Sequence, residues 1–154
     1  MTNLFGEYEC KLDDKGRLKL PSALLNQLDE NQSREFVANR GYEPCLYLFP
    51  KDIWNIKFQK IQGLSDFNAD VRNFRRVFLR GATLFTPDKA DRILLPKPLL
   101  EWANIDKTLI ISALGDTLEI WNVEAYYKTI NVTPEQLQAM ANRIDLLKTK
   151  GSDE

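Results

Sequence analysis

Short stretches of alternating apolar and polar residues recur along this chain, interrupted by turn-forming clusters. Residues 8–12 and 17–20 carry the two-residue period of half-buried strands. Asp13-Asp14-Lys15-Gly16 between them has the composition of a hairpin turn, with Gly16 able to take the positive φ such a turn needs. Pro21 suits the first turn of a helix whose apolar face would hold Leu24, Leu25 and Leu28. Two further strands are predicted at residues 35–39 and 46–49, with a turn at Gly41-Tyr42-Glu43-Pro44.

The same order then returns. GEYECKLDDKGRLKLPSALL from Gly6 and GATLFTPDKADRILLPKPLL from Gly81 lie 75 residues apart and share seven identities: Gly6/Gly81, Asp13/Asp88, Arg17/Arg92, Leu20/Leu95, Pro21/Pro96, Leu24/Leu99 and Leu25/Leu100. Downstream, CLYLFPKDIW from Cys45 matches TLEIWNVEAY from Thr117 at an offset of 72, so three residues are missing from the intervening loop of the second copy. The second copy predicts strands at residues 83–86 and 92–95, a helix after Pro96, and strands at residues 109–112 and 118–121. A polar, helix-like stretch at residues 64–80 joins the copies. Residues 134–148 start with Thr133-Pro134 and space Leu137, Met140, Ala141, Ile144 and Leu147 as an amphipathic helix, with residues 150–154 expected to be a disordered tail. The expected organisation is therefore a first module at residues 1–63, a connecting helix at 64–80, a second module at 81–130 and a closing helix with its tail at 131–154. Neither module is large enough to hide its own apolar face, so the two are expected to share one core.

Composition narrows the chemistry. With no histidine among 154 residues, the commonest general base and the commonest metal ligand are both missing, and no glycine-rich phosphate loop is present. Cys10 and Cys45 are too far apart for a metal-binding spacing and read as reduced, largely buried thiols. The expectation is a protein that is not an enzyme, with no metal, cofactor, membrane segment or small-molecule substrate, residing in the cytoplasm. The net charge of −1 supplies no general basic field, so any contact with nucleic acid must come from local patches.

Such patches sit at the two predicted turns. Each carries Asp-x-x-x-Arg: Asp13 with Arg17, and Asp88 with Arg92, supplemented by Lys15 and Lys89. An Asp there can accept backbone N–H groups and orient the turn together with Gly16, leaving the rigid Arg fork directed outward. A β-ribbon fits the major groove, where Arg can bond bidentately to guanine O6 and N7 while Lys meets phosphate. One such turn is more simply an exposed ion pair, contributing at most about 1 kcal/mol. Recurrence of the same pair in both copies favours a DNA-binding set of Lys15, Arg17, Lys89 and Arg92, oriented by Asp13, Gly16 and Asp88. The remaining basic cluster, Arg72, Arg75, Arg76 and Arg80, with 72, 76 and 80 on one face of a helix, reads as solvated rather than as a DNA contact, and Trp54, Trp102 and Trp121 read as core.

Taken together, GEYECKLDDKGRLKLPSALL, GYEPCLYLFPKDIW, RRVFLRGATLFTPDKADRILLP and DTLEIW resemble the MraZ family over about residues 4 to 130. The resemblance implies a mixed α+β, β-rich fold: two tandem AbrB/SpoVT-type swapped-hairpin modules sharing a pseudo-two-fold β-barrel core with flanking helices. It also implies a nucleoid-associated, ring-shaped homo-oligomer that binds G-rich direct repeats upstream of its own cell-division and cell-wall gene cluster and represses or otherwise regulates it. The Asp-x-x-x-Arg motifs would be the DNA-contacting elements. The second motif departs from the family pattern at Asp91, where glycine usually precedes the arginine, which makes Arg17 the stronger candidate reader. The competing expectation is an oligomeric interaction scaffold with this fold and no specific DNA binding.

Overall fold

Two halves that cannot each bury an apolar sheet face alone solve the problem by exchanging strands. The computed structural model describes the backbone of residues 3–152 and the side chains of residues 3–148. In chain order, β1 (Leu4–Lys11), β2 (Arg17–Lys19), α1 (Ser22–Leu25), β3 (Phe36–Arg40), β4 (Leu46–Pro50) and α2 (Lys51–Gln62) make the first copy. Then α3 (Ala69–Phe78) leads to β5 (Thr83–Phe85), β6 (Arg92–Leu94), α4 (Lys97–Trp102), β7 (Thr108–Gly115) and β8 (Leu118–Trp121) of the second.

A six-stranded antiparallel sheet runs in the order β1-β7-β8-β4-β3-β5, and a separate two-stranded ribbon pairs β2 with β6. Exchanging each strand for its counterpart in the other copy reverses the six-strand order and leaves it unchanged, so the sheet has the pseudo-two-fold symmetry expected of swapped modules. The first strand of each copy crosses over: β1 pairs with β7, Tyr8 opposite Ile111, while β5 pairs with β3, Leu84 opposite Val37. The pseudo-axis passes through two rungs, Tyr47 opposite Glu119 in the sheet and Leu18 opposite Ile93 in the ribbon. β1 and β2 are thus not the two legs of one laddered hairpin: each spends its backbone hydrogen bonds on a strand of the other copy.

One core lies between sheet and ribbon. Alternate residues of the sheet, Ala38, Leu46, Leu48, Leu109, Ile111, Leu118 and Ile120, meet Leu18 and Ile93 of the ribbon together with Leu24, Leu25 and Leu99 of the short helices. Each leucine and isoleucine among them contributes about 1.5–3 kcal/mol on leaving water. Pro21 and Pro96 stand at the N-caps of α1 and α4 with extended backbone, so each proline ends a strand and admits a helix in one step.

The other face of the sheet bears Tyr47, Phe49 and Glu119, and near it lie two helices with different anticipations in the sequence. α2 follows β4 with no interval and was not foreshadowed: its N-cap is Pro50, which offers no side-chain cap, and none of its residues is fully buried. α3 matches the polar stretch and is capped by Asn68, whose side chain accepts from Asp70 N and Val71 N.

From Glu124 the chain forms a second compact unit. It contains most of α5 (Val123–Ile130), which follows β8 after the single residue Asn122, and α6 (Pro134–Ser152). Thr133 and Gln136 close a reciprocal capping box, Gln136 N to Thr133 Oγ1 at 3.2 Å and Thr133 N to Gln136 Oε1 at 2.8 Å, at the helix start expected at Thr133-Pro134. The amphipathic stripe Leu137, Met140, Ile144 and Leu147 is exposed. Contrary to the expected tail, helical backbone continues through Ser152, and residues 153–154 fall outside the described residues. Among the described residues no helix is long and apolar enough to cross a membrane.

Candidate nucleic-acid interface

The two turns are closed by the same bonds. In the first, Asp13 N donates to Arg17 O at 2.9 Å and Gly16 N to Asp13 O at 2.9 Å; in the second, Asp88 N donates to Arg92 O at 3.1 Å and Asp91 N to Asp88 O at 2.9 Å. The carboxylates then fill each turn. Asp13 Oδ1 accepts from Lys15 N at 3.0 Å and Arg17 N at 2.8 Å, and its Oδ2 accepts from Arg17 Nε at 2.7 Å. Asp88 repeats this with Ala90 N, Arg92 N and Arg92 Nε, each at 2.9 Å. Backbone donation from Arg17 and Arg92 holds the carboxyls of Asp13 and Asp88 below the usual aspartate range, with the guanidinium bonds acting in the same direction.

This arrangement has a chemical consequence. Each Asp engages its arginine through Nε, and among the described residues no hydrogen bond engages the two Nη atoms of Arg17 or Arg92. The rotation of each fork is therefore set from behind while its two outer nitrogens remain available for a planar, two-acceptor target.

Positive backbone φ recurs as well: Gly16 has φ 78° and Asp91, its counterpart, φ 60°. Asp91 thus adopts the left-handed conformation that glycine would take more cheaply, and the second turn keeps its shape despite the substitution.

The ribbon brings the two copies together. Its rungs are Arg17 opposite Leu94, Leu18 opposite Ile93 and Lys19 opposite Arg92. Strand alternation sends Leu18 and Ile93 into the core, so Arg17, Lys19, Arg92 and Leu94 share the outward face. Leu20 N donates to Asp91 O at 2.9 Å, extending the join into the second turn. The sequence anticipated Arg17 and Arg92 at turn tips; it did not anticipate their lying on one ribbon built from both copies, nor Lys19 beside Arg92. Only the partner strand reveals that. Lys15 and Lys89 lie within the turns themselves, exposed.

Other candidates take different places. Arg75 is not part of a solvated face: it is largely buried, donating to the carbonyls of Ile61, Gln62 and Leu64 at the end of α2 and pairing with Asp66. Trp121 is core, whereas Trp54 is half-buried, stacked on Phe58 and tilted against Phe49, and Trp102 is partly exposed under the Arg40 guanidinium at 4.7 Å. Both cysteines are free, and burial raises both thiols, Cys45 to about 12. The ligand atoms of Glu43, Cys45 and Glu119 lie within 4.8 Å of one another, and burial followed by the two neighbouring carboxylates is what raises the Cys45 thiol.

Comparison with known proteins agrees with the repeat. The model of the MraZ protein family, which carries an antitoxin-like description, matches twice in tandem, over residues 4–77 and 78–146. A protein of Christiangramia forsetii named transcriptional regulator MraZ is 35% identical over 145 residues, covering 94% of each chain. Proteins of the same name from Flavobacterium psychrophilum and Syntrophomonas wolfei are 36% and 37% identical, covering 85% and 79% of this chain and 84% and 82% of their own. By the paired match of the family model and by similarity along nearly its whole length, this chain belongs to the MraZ family.

Proposed function

We propose that this protein is a transcription regulator that binds DNA sequence-specifically. It reads G-rich direct repeats upstream of its own gene as a ring-shaped homo-oligomer, and represses the cell-division and cell-wall gene cluster there. The relatives' name supports the regulatory role. The observation that carries the DNA reading is the pair of guanidinium groups fixed through Nε by Asp13 and Asp88, with their outer nitrogens unengaged on one ribbon face. Guanine O6 and N7 are the major-groove acceptor pair such a fork matches. Lys15, Lys19 and Lys89 would meet phosphates. A monomer of net charge −1 binds DNA weakly, so several ribbons acting together on tandem repeats supply the affinity, and the exposed stripe of α6 is apolar surface available to such an assembly. The site of action is the nucleoid, in the cytoplasm.

The carboxylate of Asp91 beside the second tip favours a second reading, an interaction scaffold that has lost DNA contact. One experiment separates them: gel-shift titration of the DNA upstream of the gene, wild type beside Arg17→Ala, across a salt series. The regulator reading expects steep salt dependence and loss of specific binding in Arg17→Ala with assembly mass unchanged. Equal binding by the two proteins removes that reading and leaves the scaffold.

A further inference from the structure

The pseudo-two-fold symmetry of the ribbon is broken at one outward position. Lys19 in β2 and Leu94 in β6 are counterparts: each ends its three-residue strand, and each follows a buried residue, Leu18 or Ile93. The first copy therefore places a cation across from Arg92, and the second an apolar side chain across from Arg17. Leu94 is 59% exposed on an otherwise polar face, and a Cβ on Gly16 would lie 3.8 Å from its Cδ1, so it leans over the first turn.

The geometry points to Leu94 as a specificity-determining residue that reads the C5-methyl group of a thymine next to the guanine contacted by Arg17. This rests on the DNA-binding reading proposed above. The reason is chemical. Along the major-groove edge every base presents N7, O6, N4, N6 or O4, all polar, and the thymine methyl alone is apolar. Leucine in that groove desolvates a polar edge at a loss and a methyl group at a gain. Position follows from register: directly opposed Cα atoms are about 4.5–5.5 Å apart, and i to i+2 along a strand is about 6.6 Å. With bases rising about 3.4 Å per step, Leu94 falls within about two base pairs of the Arg17 target. One rung pairs Arg17 with Leu94 and the other Arg92 with Lys19, so the ribbon face has a direction. A pseudo-symmetric fold thereby reads a word that is not its own inverted complement, which suits direct rather than inverted repeats.

The test begins with the full-length protein selecting from a randomised duplex pool, and the selected duplex is then resynthesised with each thymine replaced singly by deoxyuridine, which deletes only the methyl. For wild type, one deoxyuridine position within two base pairs of the guanine whose contribution Arg17→Ala abolishes should weaken binding about fourfold, the effect of one lost methyl contact. Leu94→Ala should be indifferent to that replacement, and Leu94→Lys, which installs the counterpart residue at an exposed site, should lose the thymine preference while binding random duplex more tightly. Wild type indifferent to every deoxyuridine, or Leu94→Ala retaining the same sensitivity, overturns the assignment while leaving DNA binding intact. A change of assembly mass in Leu94→Lys would make Leu94 a subunit contact and overturns it equally. Failure of wild type to select any sequence would instead sink the DNA-binding reading beneath it.

Discussion

An arginine at a turn is ordinarily mobile; here Asp13 and Asp88 grip Arg17 and Arg92 at Nε and at the backbone N–H together. Arg17→Lys should then be nearly as damaging to specific binding as Arg17→Ala, because lysine cannot present two donors to one base edge. Either change should weaken specific binding by about tenfold to a hundredfold, read by gel shift, with thermal unfolding almost unmoved because the ion pair is exposed. Acid should act through the same carboxylates. Their folded values lie below the ordinary aspartate value of about 3.9, so their contribution to turn geometry is fully present above it and lost as pH falls through the depressed values. Carboxyl NMR titration should therefore show Asp13 and Asp88 still ionised where an exposed aspartate has begun to protonate; ordinary midpoints would refute the grip. At Asp91, the left-handed φ of 60° predicts that Asp91→Gly stabilises the fold by about 0.5–1 kcal/mol in urea unfolding and also tightens DNA binding by removing a carboxylate from the interface.

At the scale of elements, Arg75 ties α3 to the C-terminal end of α2 by bonding the carbonyls of Ile61 and Gln62 in the last turn of that helix. Charge-assisted bonds of this kind contribute about 1.5–3 kcal/mol each, though not additively. Arg75→Met, which keeps the aliphatic stem, should cost about 2 kcal/mol in urea unfolding, while Arg76→Met should cost almost nothing. Equal effects would return Arg75 to the solvated basic cluster it was read as part of. Three-residue strands such as β2 and β6 carry too little surface to persist alone; each exists because the other lies beside it.

For the whole molecule, strand exchange makes the copies interdependent. A fragment ending at residue 63 retains β1 without β7 and β3 without β5, leaving long unpaired edges. It should be unfolded as a monomer, and mixing it with the complementary fragment should restore a dispersed NMR spectrum. A well-dispersed monomeric spectrum from the first fragment alone would contradict the exchange. Fold and candidate site were unequally legible beforehand. Strands β3, β4, β7 and β8 announce themselves as short apolar runs, and the turns by Asp, Gly and Arg at fixed offsets. α2 does not, because it follows a strand directly and the signal for a helix start is weak where no polar cap intervenes; α5, though Asn122 stands before it, was not anticipated either.

What the sequence by itself determined is everything local and everything duplicated: two copies of one grammar, two turns with the same Asp-x-x-x-Arg, no histidine chemistry, and a helix start at Thr133-Pro134. Hydrophobic period, turn residues and spacing are properties of neighbours in the chain, and the repeat makes each copy a check on the other. Only the tertiary structure decided which strands pair. Alternation states that a strand has a buried face but not whose backbone satisfies its hydrogen bonds, and here β1, β2, β5 and β6 all satisfy them in the opposite copy. That decision moves Arg17 and Arg92 from separate tips onto one ribbon, adds Lys19, and sets Leu94 across from Arg17.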